Sequence, residues 1–180
     1  MILVLLADGF EEIEALTPVD ILRRAGLDVK TCGVGGRTVF GSHKIPVICD
    51  TLPDEVDLNS ISLVIFPGGM PGALNLDASP FTDKIIAAVT KGGGRIAAIC
   101  AAPLVLGRRG LLNGKRATCY PGFEDELKGA FITDAGVVTD GNITTARGAG
   151  VALEFSKELI SLILGEDVKN SIAKSIMEEI

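Results

Sequence analysis

The sequence predicts an α/β domain, a mostly parallel β-sheet sandwiched between two helix layers. Three observations carry that prediction. Apolar runs of strand length ("MILVLLA", "LVIF", "RIAAIC") alternate with stretches of helical length and spacing. The runs are apolar throughout, as in strands covered by helices on both faces. Finally, 47% of the 180 residues are hydrophobic and 22% charged, which suits one core and a single domain spanning residues 1–180.

Taken in order, "MILVLLA" is the first strand, and "EEIEALTPVDILRRAG" follows with helical spacing at Ile13, Leu16, Val19, Ile21 and Leu22. Pro18 lacks an amide hydrogen, which predicts a kink or restart, and Gly26 suits the helix end. "LDVKTCGVGG" is the second strand. "TVFGSHKIPVICD" holds two short alternating pieces able to pair as an antiparallel hairpin, an excursion from the parallel pattern near residues 37 to 50. "LVIFPGGMPG" is a buried strand entering a glycine-rich turn. In "SPFTDKIIAAVTKGGG", Ser79 is placed to cap a helix, Pro80 to open it and the glycines to close it. "RIAAIC" and "AAPLVLGRRG" form the next strand and short helix. "KRATCY" reads as a further strand and "FEDELKG" as a short helix. "AFITDAGVVTDGNITTA" carries a DG turn between strand-like runs. Two helices close the chain, "GAGVALEFSKELISLILG" and "VKNSIAKSIMEEI".

Composition narrows the function. Seventeen Lys and Arg against 23 Asp and Glu give a net charge of -6, with no basic block or aromatic-rich basic stripe to follow a phosphate backbone, so no nucleic-acid partner is expected. The opening lacks a basic n-region, and no uninterrupted apolar run reaches the ~18 residues of a membrane span. A cytoplasmic protein without a membrane partner is expected. The four cysteines show no CxxC spacing and read as free thiols of a reducing compartment. With His43 the single histidine, no imidazole-rich metal site is expected.

In parallel sheets, sites form where strands give way to helices. Three such turns stand out: "ADGFEE", "PGGMPG" and "ICAAP". Cys100 stands at the last, a strand-to-helix corner of the kind that holds a nucleophile up at the sheet edge, with the small Ala101 and Ala102 permitting the crowding. Amides of the following helix would stabilise a thiolate there and lower the thiol's usual pKa of ~8.5. The alternative is a buried structural cysteine, and that account suits Cys32, Cys49 and Cys119, which lie within strand-like runs. Asp8, Glu11, Glu12 and Glu14 crowd the start of the first helix, where the macrodipole favours acids. Glu14, between Ile13 and the apolar Ala15 and Leu16, is the one expected to turn inward. Buried beside a thiol, its carboxyl would be held protonated and could donate to sulfur. "PGGMPG" reads as a phosphate cradle or as a turn requiring positive φ. Arg147 with the Gly148 and Gly150 amides reads as an anion receptor or as a capped helix start. Neither dinucleotide nor P-loop glycine spacing occurs, so no nucleotide cofactor is expected.

In order and spacing, "ADGFEEIE", "PVDILRRAG", "VIFPGGMPGA", "AAICAAP" and "TTARGAGVALEF" resemble the ThiJ/PfpI superfamily, in the branch of the parkinsonism-associated deglycase. The resemblance implies a flavodoxin-like three-layer sandwich, a homodimer, a reactive cysteine matching Cys100 and an acidic partner matching Glu14. It also implies oxyanion amides matching Gly69 and Ala101, and no metal or organic cofactor. Two departures stand out. Where many relatives place a histidine near the cysteine, this sequence has Tyr120, and the histidine that follows the cysteine in the protease-like branch is Ala101 here. Basic residues reaching the pocket across a dimer match His43 and Arg24. The activity implied is turnover of a small reactive aldehyde, as a glutathione-independent glyoxalase converting methylglyoxal to lactate, or as a deglycase. A redox-sensing or chaperone-like protein with an oxidisable Cys100 is the alternative. A cysteine peptidase and a thiazole or thiamine biosynthetic role are weaker matches.

Overall fold

The computed structural model describes residues 1–178. Its elements run β1 (Ile2–Leu6), α1 (Glu12–Arg24), β2 (Val29–Gly33), β3 (Thr38–Phe40), β4 (Pro46–Ile48), β5 (Leu63–Phe66), α2 (Gly72–Ala78), α3 (Pro80–Lys91) and β6 (Arg95–Ile99). They continue with α4 (Pro103–Arg108), β7 (Arg116–Ala117), β8 (Phe131–Ile132), β9 (Val137–Asp140), β10 (Ile143–Ala146), α5 (Ala152–Leu164) and α6 (Glu166–Ser175). The main sheet has the order β2-β1-β5-β6-β10-β9. Every pairing in it is parallel except β10 with β9, which the DG turn joins as an antiparallel edge pair.

The two-residue period of a strand divides the core in two. Leu3, Leu5, Val64, Phe66, Ile96 and Ala98 pack with Leu76 of α2, Ile85 of α3 and Val105 of α4. Ile2, Val4, Leu6, Ile65, Ala97 and Ile99 pack with Val19 of α1, Leu159 of α5 and Ile172 of α6. Both faces of the sheet are therefore covered, which is why β1 and β5 are buried at every residue. All strand carboxyl ends but that of β9 lie along one edge, so the loops after β1, β5 and β6 converge there.

Local signals hold where they were specific. Ser79 caps α3 by accepting from the Phe81 amide, and Gly92 and Gly93 end it. Gly26, at φ 78°, closes α1 with its amide on Arg23 O and that of Leu27 on Leu22 O, the paired bonds of a Schellman end. The predicted hairpin pairs as β3 with β4.

Four expectations are corrected. Helix α1 runs unbroken through Pro18, with no restart. Its buried face is Glu12, Glu14, Ala15, Pro18, Val19, Ile21 and Leu22, whereas Ile13 is 53% exposed, because the first turn directs its acids inward. "KRATCY" contributes only Arg116–Ala117, paired with β8 outside the main sheet, and "FEDELKG" makes a single 3-10 turn at Glu124–Glu126. Helix α2 was not anticipated, and the last residues of "VKNSIAKSIMEEI" lie outside the described residues.

Phe155 of α5 is fully buried in the second core half. Phe155→Ala should destabilise the fold by roughly 3–5 kcal/mol. Urea titration should show the midpoint lowered with the slope unchanged; an unaltered midpoint would contradict the packing described.

Candidate active site

Cys100 follows β6 at φ 65°, a left-handed conformation uncommon for a residue with a side chain. Two bonds pin its backbone there. Its amide donates to Ala146 O and its carbonyl accepts from the Tyr120 amide, both at 2.8 Å. The corner thus lifts the thiol out of the sheet plane, and Ala101 and Ala102, both buried, leave room for the turn. Cys100 is partly exposed, whereas Cys32, Cys49 and Cys119 are buried and free, as expected for structural thiols.

Glu14 is 1% exposed, drawn inward as the sequence suggested. Its Oε2 accepts from the Gly68 amide at 2.9 Å. The other oxygen, Oε1, is buried without a hydrogen-bond partner of normal geometry, and the Cys100 thiol and the Ala149 amide are the further polar groups acting on the carboxyl. Gly68 makes this approach possible: a Cβ there would stand 2.6 Å from Glu14 Oε2 and 2.8 Å from Cys100 Cβ. Gly69, at φ 85°, is equally constrained, since its Cβ would meet Glu11 N and Gly9 O at 2.4 Å.

Burial pushes the Glu14 carboxyl up to about 7, against the opposing influence of the neighbouring Cys100 thiol and the bond from the Gly68 amide. Burial and then the charge of Glu14 push the Cys100 thiol up to about 12, against the Ala101 and Gly69 amides. The expected depression of the thiol pKa is therefore reversed: α4 is only six residues long, and two amides do not offset desolvation beside a carboxylate. Taken as a coupled pair, the two groups share one proton and one negative charge between those limits. The Gly68 amide favours the charge on Glu14; the Ala101 and Gly69 amides favour it on sulfur.

The pair opens into a pocket of about 290 Å³ lined by Glu11, Glu14, Gly69, Met70, Cys100, Ala101, Tyr120, Phe123 and Ala149. Of the residues singled out in the sequence, Cys100, Glu14, Gly69, Ala101 and Tyr120 are brought together. Tyr120 is half exposed on the pocket wall. His43 and Arg24 do not line it. His43 lies in the loop between β3 and β4, with Nδ1 at 2.9 Å from Glu12 Oε2 and 3.6 Å from Glu11 Oε1. Arg24 pairs with Asp20 one turn back along α1 at 2.8 Å. Burial alone would raise the Glu12 carboxyl, but bonds from the His43 ring and amide and from Ser42 hold it at about 2, and the same contact raises the His43 pKa. Glu11, Glu12 and His43 bring ligand atoms within 4.8 Å of one another, yet these are already engaged with each other and with Ser42. The cluster is a satisfied ion-pair network. Gly68 and Ala149 were missed: Gly68 lay inside a turn that glycine chemistry alone explained, and Ala149 has no chemistry of its own beyond its amide.

A parallel α/β sandwich with a cysteine in a left-handed corner against a buried carboxyl defines a class of elbow-thiol proteins. A profile of the DJ-1/PfpI family matches residues 1–162, and the chain belongs to that family. It is 36% identical over 178 residues to protein dj-1beta of Drosophila melanogaster, covering 97% of this chain and 95% of that one. The crystal structure of that fly protein superposes with a TM-score of 0.94 at 35% identity, over 99% of this chain and 98% of the other. The flavodoxin-like fold implied by the resemblance is thereby borne out. Similarity also extends to the glutathione-independent glyoxalase DJR-1.2 of Caenorhabditis elegans, 31% identical over 92% of this chain and 89% of that one. A deglycase of Pyrococcus abyssi is 30% identical over 90% of this chain and 98% of its own length.

The raised Glu14 pKa has a consequence for stability. Between the ordinary value of 4.5 and about 7 the folded chain holds a proton that the unfolded chain has lost. Stability from this group is therefore present at low pH, declines as pH rises through that window and is gone above it. The wild type minus Glu14→Gln difference in unfolding free energy should fall by on the order of 3 kcal/mol across the window. Urea melts at closely spaced pH values read it; a flat difference would contradict the buried, protonated carboxyl.

Proposed function

We propose that the chain is a cysteine-dependent enzyme of small reactive carbonyls, a glutathione-independent glyoxalase with deglycase-like reach. The observation that carries this reading is the buried Glu14 carboxyl, held by the Gly68 amide and lining one pocket with the left-handed Cys100; a proton passed between the two could move as substrate adds. Names carried by two relatives, a glyoxalase and a deglycase, support it.

The Cys100 sulfur adds to the aldehyde carbon of methylglyoxal. The S–C bond forms, the carbonyl π pair moves to oxygen, and the shared proton follows it to give a neutral hemithioacetal. The Gly69 and Ala101 amides, which act on the sulfur's charge, are the donors available to the developing oxyanion. Glu14, left as a carboxylate, takes the hydrogen from C1 as a proton and returns it to C2 of the resulting enediolate, while the proton of the C1 hydroxyl passes to the C2 oxygen as the thioester carbonyl forms. C1 is oxidised and C2 reduced by the same electron pair, so no external redox partner enters. The product is a lactoyl thioester, which water cleaves to lactate and free thiol. Glycated amines present the same carbonyl carbon as a hemiaminal, and release of the amine regenerates the aldehyde.

A homodimer fits the same reading. Ile13, Phe40, Ile45 and Ile48 are each at least half exposed around the start of α1 and the β3–β4 hairpin, and a second copy would cover them. Four free thiols suit a reducing compartment such as the cytoplasm.

The redox reading has one observation in its favour: Cys100 is the one cysteine of the four that is not buried. Turnover separates the two. Methylglyoxal consumption without glutathione should fall roughly 10²-fold or more in Cys100→Ser and in Glu14→Gln. Absence of turnover in the wild type, with peroxide-dependent mass gain confined to Cys100, would replace the enzyme with a redox sensor. If the Tyr120 hydroxyl takes the role of the relatives' histidine, Tyr120→Phe should lower kcat; equal kcat would leave Tyr120 a wall residue.

A further inference from the structure

We propose that the groove beside the Cys100 pocket is an anion subsite, in which Arg147 holds a carboxylate or phosphate at the far end of the carbonyl substrate. The proposal rests on the carbonyl-enzyme reading and names its substrate class. The groove has about 390 Å³ of space, lined by Tyr120, Pro121, Arg147 and residues 148–151. Tyr120 and Ala149 line both hollows, so the groove lies directly beside the reactive pocket.

Charge sorts the two ends of a ligand between them. The charged side chains lining the Cys100 pocket are Glu11 and Glu14, and neither welcomes an anion. Arg147 is the charged residue lining the groove. Arg23, Arg24, Arg37, Arg108 and Arg109 each pair with a carboxylate. Arg95, Arg116 and Arg147 have no carboxylate partner for their side chains among the described residues, and of these three Arg147 is the one that lines this groove. Its Nη1 donates to Asp134 O at 3.2 Å, which steadies the guanidinium and leaves other donors of the fork for a ligand. Gly148 keeps the groove wall low, since a Cβ there would already touch the Tyr120 ring at 3.4 Å.

A three-carbon dicarbonyl such as methylglyoxal would occupy the first hollow alone. An α-oxoaldehyde with a short chain ending in an anion would fill both, its aldehyde at Cys100 and its charge at Arg147. No bond is made or broken at Arg147; the chemistry at sulfur is that already described.

The test compares 4,5-dioxopentanoate with its uncharged methyl ester, and, in a second arm, the phosphate ester of hydroxypyruvaldehyde with hydroxypyruvaldehyde itself. In the wild type kcat/KM should favour the charged member of a pair by roughly tenfold or more, mostly through KM. The arm with the larger ratio identifies the anion. Arg147→Gln should bring the ratio close to unity and Arg147→Lys should retain part of it. Because the ratio is taken within each variant, a general loss of activity cancels. Wild-type ratios near unity in both arms, or ratios unchanged in Arg147→Gln, would overturn the subsite. Calorimetric titration of Cys100→Ser with glutarate gives a readout independent of turnover. Binding that weakens when Arg147→Gln is added supports the subsite even if no aldehyde is consumed, in which case it is the carbonyl-enzyme reading that fails. Equal binding in the two proteins overturns the subsite alone.

Discussion

The site depends on one interaction, the hydrogen bond from the Gly68 amide to the buried carboxyl of Glu14. A carboxyl this deeply buried needs polar groups around it. The Gly68 amide after β5 bonds Oε2, and the Cys100 thiol after β6 and the Ala149 amide after β10 are the further polar groups acting on the carboxyl. Three strand ends thus meet the first turn of α1 at a single side chain. Gly68 also sets the distance, because any larger residue would separate Glu14 from the cysteine.

The doubly covered sheet supplies the rigidity that this arrangement requires. Strands β1, β5, β6 and β10 are adjacent and parallel, so their following loops share an edge without any long excursion. The core on either side is filled by side chains of alternate strand residues, and a shift of one strand by one residue would exchange its two faces. The register is therefore held by both core halves, and with it the relative positions of Cys100, Gly68 and the turn before α1.

Much of this was legible in the sequence, and the boundaries of that legibility are physical. Continuous apolar runs sufficed for β1, β5 and β6, and the Ser79–Pro80 start and glycine end of α3 were unambiguous because capping is a local interaction. Cys100 was legible as a corner from its small neighbours, and Glu14 as an inward acid from the residues flanking it. Ile13 was misread because helical spacing identifies an apolar stripe without saying that a hydrogen-bonded acid can take its place in the interior. The strand expected at "KRATCY" shrank to Arg116–Ala117 because nothing in a short β-favourable run reports whether a partner strand is available. The direction of the thiol pKa was lost for a related reason: proximity to helix amides is local, whereas burial is contributed by several separate loops and the Glu14 charge comes from a distant part of the chain.

The left-handed corner at Cys100 limits what the position can hold. Threonine, a nucleophile elsewhere, is branched at Cβ and stiff about χ1, and a positive φ is a genuine outlier for such a residue. Glycine and asparagine tolerate the conformation but bring no nucleophile, and aspartate would set a second carboxylate against the buried Glu14. The backbone of this fold therefore selects among side chains before any substrate does, and an unbranched thiol is among the few reactive groups that pass both filters.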